Sequence, residues 1–180
     1  MVIDMFGDGK YVPDCIFILA AIGLFYLLEK DHQLEPGMIL IGLLPMFLHL
    51  VGVIFGAFSW FIADIGFDKY VHLLSSASIS IVAFYWLMNN SRNHYVRKAF
   101  VALLIAQGFG ALNEVNEFIG YEYLHIYGAT MFSTGDSLPT VKSQLQVYDT
   151  QWDMIFNLVG ALIAVLIVTS REHYLRKKYL

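Results

Sequence analysis

Between Glu35 and Asp64 the chain runs for 28 residues without an Asp, Glu, Lys or Arg, and between Lys69 and Arg92 for another 22. Roughly 20 apolar residues carry a helix across the hydrocarbon core of a bilayer. A run of that length offers water no charged face, so both segments predict membrane-spanning helices. A third runs from about Ala99 to Tyr121 and a fourth from about Thr150 to Ser170. The first apolar run, 15–28, is shorter and reaches spanning length if residues 11–14 sit at the interface. A signal peptide fits it less well, because Lys10 is the only basic residue before it and no clear cleavage site follows. None of these runs alternates with period two, as a barrel strand would. The expectation is an all-α polytopic bundle of about five spans, at 11–28, 37–62, 68–90, 97–121 and 150–170, forming one domain over 1–180.

Composition agrees. Hydrophobic residues make up 58% and charged residues 14%, against roughly 25% charged in soluble domains. So little charge cannot cover a soluble monomer. Aromatic residues at 16% exclude disorder. Cys15 is the only cysteine, so no disulfide forms within the chain. A net charge of −4 leaves no basic footprint for nucleic acid. The expected surroundings are the lipid bilayer of a plasma or inner membrane, with a membrane protein partner or a second copy as candidate company.

Orientation follows from Lys and Arg. With five spans, Lys10, Lys69 and Lys142 fall on one side; Lys30, Arg92, Arg97, Lys98, Arg171, Arg176, Lys177 and Lys178 fall on the other. The positive-inside rule then puts the N-terminus outside and the C-terminus in the cytoplasm. Residues 120–148 become a long outer loop, containing Ser133-Thr134-Gly135-Asp136-Ser137 and Pro139. Loops beyond ~12–15 residues are often lids or binding loops, though a passive connector is the plain alternative. Gly52 and Gly56 form a small-xxx-small pattern, but ordinary glycine abundance in membrane helices explains them more simply. No internal repeat supports an inverted-repeat transporter.

Ionisable groups inside a span cost ~2.5–3.5 kcal/mol each even on lenient scales, which makes them candidates for function. Three spans carry them in pairs: Asp68 and His72, Glu114 and Glu117, Asp149 and Asp153, with Asn157 four residues further on. Spacings of three or four put each pair on one helix face. The third and fifth spans start on the outer side and the fourth ends there, so all six lie at outer helix ends and at similar depth. Five carboxylates and one imidazole cannot share a partly dry pocket uncompensated. They require a bound cation, protons or basic partners. Lys69 points about 100° away from the Asp68 face, which predicts a poor partner. Oxygen-rich ligation with one His suits Mg²⁺, Mn²⁺, Fe²⁺ or Zn²⁺. The candidate metal ligands are Asp68, His72, Glu114, Glu117, Asp149 and Asp153, and Glu117 or Asp153 is the candidate general base. Simpler readings exist for three of them. Asp68 and Asp149 could cap helix N-termini, and His72 could be a satisfied core histidine. His49, within the second span between Leu48 and Leu50, is a candidate ligand or proton relay, with interhelical hydrogen bonding the plainer role. Asn157 is a candidate outer partner. No nucleophile elbow, P-loop or Cys-x-x-Cys occurs, and Ser75 and Ser76 one turn after His72 make only a weak case for a Ser/His hydrolase.

At these residues the chain resembles the YjdF-like family of multi-spanning inner-membrane proteins. The resemblance is carried by Phe67-Asp68-Lys69-x-x-His72, Asn113-Glu114-x-x-Glu117, Asp149-Thr150-Gln151-Trp152-Asp153-Met154 and Gly160-Ala161-Leu162, with Phe47-Leu48-His49 in the second span. The order of the polar residues is more loosely similar to VanZ-like proteins. The resemblance covers roughly 45–165. It departs in having Lys69 where members usually carry Arg and Phe118 where they usually carry Trp. It also lacks an N-terminal span and carries an insertion between Asp136 and Asp149. It implies membership of the polar set and no particular reaction. Three classes compete: a metal-dependent membrane enzyme acting on a lipid or envelope precursor, a cation- or proton-coupled transporter, and a non-catalytic partner subunit.

Overall fold

The computed structural model describes residues 12–30, 34–63, 65–91, 94–123, 129–130, 133–134 and 142–179. Five helices run through them: α1 (Val12–Lys30), α2 (Pro36–Phe55), α3 (Phe67–Asn90), α4 (Tyr95–Glu122) and α5 (Lys142–Tyr179). Four of them, α2 to α5, contain segments long and apolar enough to cross a membrane. The apolar stretch of α1 is the ten residues Ile18–Leu27. Helix α5, at 38 residues, is about 57 Å long, nearly twice the ~30 Å hydrocarbon core.

The bundle is sorted in the way lipid demands. Most of its buried positions among the described residues are small or polar, such as Ala102, Ala106, Ala161, Ser76 and Ser80 on α3, α4 and α5. Phe100, Leu104, Leu112, Leu162, Leu166 and Ile167 face outward. In hydrocarbon a large apolar side chain gains nothing by burial between helices, whereas small residues let backbones approach. Gly160 shows the closest approach. A Cβ there would lie 2.8 Å from the carbonyl carbon of Leu73, so only glycine lets α5 lie against the α3 backbone. Helix α3 is the hub. It packs most extensively on α5, then on α4 and on α2. One cluster, with Phe84, Ala83, Ala99, Ala102, Val165 and Val168, fills the end where α3 and α5 finish and α4 begins.

Boundaries differ from the sequence expectation in three places. The second span stops at Phe55, not at 62, because Gly56 takes a left-handed backbone (φ 67°) as its C-cap. Gly56 is therefore a helix stop, and the Gly52-x-x-x-Gly56 pattern is no helix-helix seam. A short 3₁₀ turn (Ala57–Ser59) and a two-stranded ribbon follow, β1 (Phe61–Ile62) antiparallel to β2 (Ile65–Gly66). Tyr70 on α3 pins this ribbon by donating to the Ile62 carbonyl at 2.9 Å. The other two are at α5, which begins at Lys142, not at 150, and ends at Tyr179, not at 170; with α4 reaching Glu122, this shortens the loop expected over 120–148. Within it β3 (Ala129–Thr130) pairs with β4 (Ser133–Thr134). Strand β4 packs on α4 and β3 on α2. The stretch 135–141 and Lys10 lie outside the described residues.

Candidate functional site

The polar residues of α3, α4 and α5 meet at one end of the bundle. Asp68 and His72 sit in the first two turns of α3, and Glu114 and Glu117 near the end of α4. Asp149 and Asp153 follow about two turns inside α5. The capping alternatives fail on this geometry. The N-cap of α3 is Gly66, one residue before the helix, and Asp149 is well inside α5. Like depth, inferred from sequence, has become contact.

Lys69 organises one half of the site, contrary to the expectation from its angular position. Its ammonium donates to Asp68 Oδ2 at 2.9 Å and to Asp149 Oδ1, and stands 2.8 Å from Asp153 Oδ1. The flexible four-carbon stem swings the charge back over the Asp68 face. Helix α5 then lays two more aspartates against it. Angular spacing on one helix locates Cβ atoms; it does not locate the end of a lysine.

The other half contains His72, Glu114 and Glu117, which offer ligand atoms all within 4.8 Å of one another. Donors sharing an ion at ~2.0–2.2 Å stand roughly 3–3.6 Å apart at octahedral or tetrahedral angles, so closing this set takes up to roughly 1–2 Å, within reach of side-chain rotation. Asp68, Asp149 and Asp153 form a second set of the same spread, but the Lys69 ammonium already lies among them. The two sets are therefore not equivalent.

Both the His and one Glu of the first set are oriented by neighbours. Asn113 donates to Glu117 Oε1 at 2.7 Å. His72 Nε2 faces Asp153 Oδ1 at 3.5 Å, and its Nδ1 lies 3.9 Å from Glu114 Oε1 and 3.3 Å from the Asn157 amide nitrogen. Asn157 in turn accepts from Ser76 at 3.2 Å. Asn157 thus has the outer-partner place expected of it, and Ser76 serves that network instead of a nucleophile's role. A carboxylate beside one imidazole nitrogen is the usual setting of a metal-binding His; here the other nitrogen, Nδ1, faces the Asn157 amide and Glu114 together. Glu114 differs from its neighbours. Its side chain is 7% exposed, neither carboxylate oxygen has a well-formed hydrogen bond among the described residues, and the donor that approaches it is Thr150 on α5. A buried anion so placed is costly unless a cation or a proton joins it.

A cavity of about 730 Å³ opens from this end between α2 and α4. Asp68, Glu117 and Asp153 line its polar end, and Trp86 on α3 and Ile105 on α4 its far end. His49 lines the cavity on α2, with Phe58 at 5.6 Å between ring centroids. Among the described residues it joins neither set of candidate ligands.

Sequence reasoning missed Lys69 and Asn113 as members of the site. For Asn113 a signal existed: it precedes Glu117 by four residues, hydrogen-bonding distance on a helix face.

A family described as "Predicted membrane protein (DUF2238)" matches the chain over residues 2–173. This is consistent with the YjdF-like resemblance; a likeness to VanZ-like proteins is not shown. No curated protein and no solved structure matches.

Proposed function

The chain belongs to the DUF2238 family of membrane proteins, and from that premise we propose that it is a metal-dependent membrane enzyme acting on a lipid or envelope precursor. His72, Glu114 and Glu117 hold one divalent ion of the Mg²⁺, Mn²⁺, Fe²⁺ or Zn²⁺ class. The observation that carries this reading is Glu114, a buried carboxylate outside the ion pairs of Lys69 and approached only loosely by Thr150, aimed at an imidazole and a second carboxylate that are each held by a neighbour. Five carboxylates face one ammonium here, so Lys69 alone leaves the site short of positive charge. The set narrows relative to the six candidates. Asp68 and Asp149 serve Lys69, and Asp153 orients His72 and is placed to take a proton.

A metal there would polarise a phosphoryl or carbonyl oxygen and acidify a water molecule. The chain's own part is to orient His72 through Asp153 and Asn157, to hold Glu117 through Asn113, and to keep the site half dry. We also assign the site to the outer face of a plasma or inner membrane, with the C-terminus in the cytoplasm. Support comes from the cations: Lys98, Arg171 and Arg176 collect at the opposite end of the bundle, as the positive-inside rule requires of the cytoplasmic side.

The test is elemental analysis by mass spectrometry on detergent-purified protein beside Glu117→Gln. The expected result is near-stoichiometric divalent metal in the parent and its loss in the variant, with helical circular dichroism unchanged. Full occupancy in the variant, or none in the parent after reconstitution with Mn²⁺, Fe²⁺ and Zn²⁺, removes the metal reading.

A further inference from the structure

The cavity is a cleft with a polarity gradient. Along one face of α3 it is lined by Asp68, His72, Ser76, Ile79, Ala83 and Trp86, in steps of three or four residues. The first two belong to the acid/His site; the last three are apolar or aromatic. From Ser76 to Trp86 the helix rises about 15 Å, half the ~30 Å hydrocarbon core. Pro45 and Met46 of α2 form one wall and Ile105 and Phe109 of α4 the other.

The walls do not meet. Helix α2 packs on α3 and α1, while α4 packs on α3 and α5, and α2 and α4 barely touch among the described residues. The ribbon of β3 and β4 joins these two helices through the outer loop, β3 on α2 and β4 on α4. Among the described residues the gap between α2 and α4 leaves a way in from the side, bordered by Ala20, Ala21 and Phe25 of α1.

We infer that this cleft seats the alkyl chain of a single phosphate-headed lipid, which enters between α2 and α4 with its head at His72, Glu114 and Glu117. The inference rests on the metal-dependent reading above. Without a cation these carboxylates repel a phosphate. A hard divalent ion on oxygen ligands reverses that sign and takes substrate phosphate as a further ligand. The leaflet-length apolar path below the site specifies a chain, since a soluble phosphate would leave Ile79, Ala83 and Trp86 facing an unfilled apolar space.

The cleft contains its own reporter. Of three tryptophans, Trp60 and Trp152 are about half exposed, and Trp86 lines the cleft. In a Trp60→Phe/Trp152→Phe background, in phosphatidylcholine nanodiscs with Zn²⁺, mid-chain brominated hexadecyl phosphate is titrated against Trp86 fluorescence. Saturable quenching is expected. Its half-saturation should rise at least fivefold with the brominated hexadecanol, after chelation, and in Glu117→Gln. It should also rise at least fivefold in Val82→Phe or Ile79→Phe, which narrow the cleft, with metal content unchanged in those two variants. Metal binding with linear, unsaturable quenching overturns the lipid inference and leaves the metal reading standing. Saturable quenching that ignores chelation and Glu117→Gln overturns the head assignment, and the metal reading falls with it only where the parent also holds no metal. A second polypeptide bound one-to-one in native mass spectrometry, with no saturable quenching, assigns the cleft to a partner helix and overturns the inference.

Discussion

At one end of the bundle the charges are acidic and shared among three helices; at the other they are basic, with Arg171 and Arg176 exposed and Lys98 buried against the Met88 carbonyl. Asp153 has a side chain 3% exposed and stands 2.8 Å from Lys69. Arg171 at the far end is 59% exposed. It donates to the Tyr85 hydroxyl at 2.6 Å and lies over that ring, while Arg176 lies over Tyr95 at 5.1 Å. Long cationic side chains on helix ends can leave the hydrocarbon along their stems and use aromatic faces on the way. Short carboxylates cannot, so an acid in a span must find its partner inside.

The sharpest way to break this contrast is to remove one cation from each end. Lys69→Met strands Asp149 and Asp153 without their cation and should lower stability by about 3–5 kcal/mol, read as thermal unfolding in detergent. Arg171→Met should cost under about 1 kcal/mol. Equal losses would erase the distinction between the two ends. Next in size is Gly160→Leu. Its side chain would meet the Leu73 backbone, pushing α5 off α3, with about 1–3 kcal/mol lost and the acid site splayed, so that bound metal falls as well. A parent-like melting temperature in that variant would show that the helices do not approach as closely as described. Asn157→Ala removes the contacts to Ser76 and His72 and should cost about 1–2 kcal/mol while weakening metal retention during dialysis. Unchanged retention would take Asn157 out of the His72 support. The smallest effect is expected from Arg176→Ala, roughly 0.5 kcal/mol from the lost ring contact, with metal content intact. Any metal loss there would mean that the two ends are coupled through α5.

Much of the arrangement was legible before any coordinates. Long uncharged runs between Glu35 and Asp64 and between Lys69 and Arg92 specify membrane helices because hydrocarbon leaves no alternative for the backbone. Pairs such as Glu114 and Glu117 mark one face because the helix period is 3.6. Like depth for three pairs followed from counting spans. Lys69 escaped because its charge sits at the end of four rotatable bonds. The true ends of α2 and α5 escaped because Gly56 and residues 142–149 carry no hydropathy signal strong enough to set a boundary.

Residue order and helix periodicity by themselves determined the helices, which residues share a face, and which end of each helix carries the acids. Both are local properties, fixed by hydrogen bonding within a segment and by the thickness of lipid. Tertiary structure alone decided how the acids divide. Packing α5 across α3 at Gly160 gave Asp68, Asp149 and Asp153 to Lys69, and left Glu114 buried beside His72 and Glu117 with no ion pair to that lysine. That division depends on distances between helices of a few ångströms, and those are set by how side chains from separate segments fill shared space.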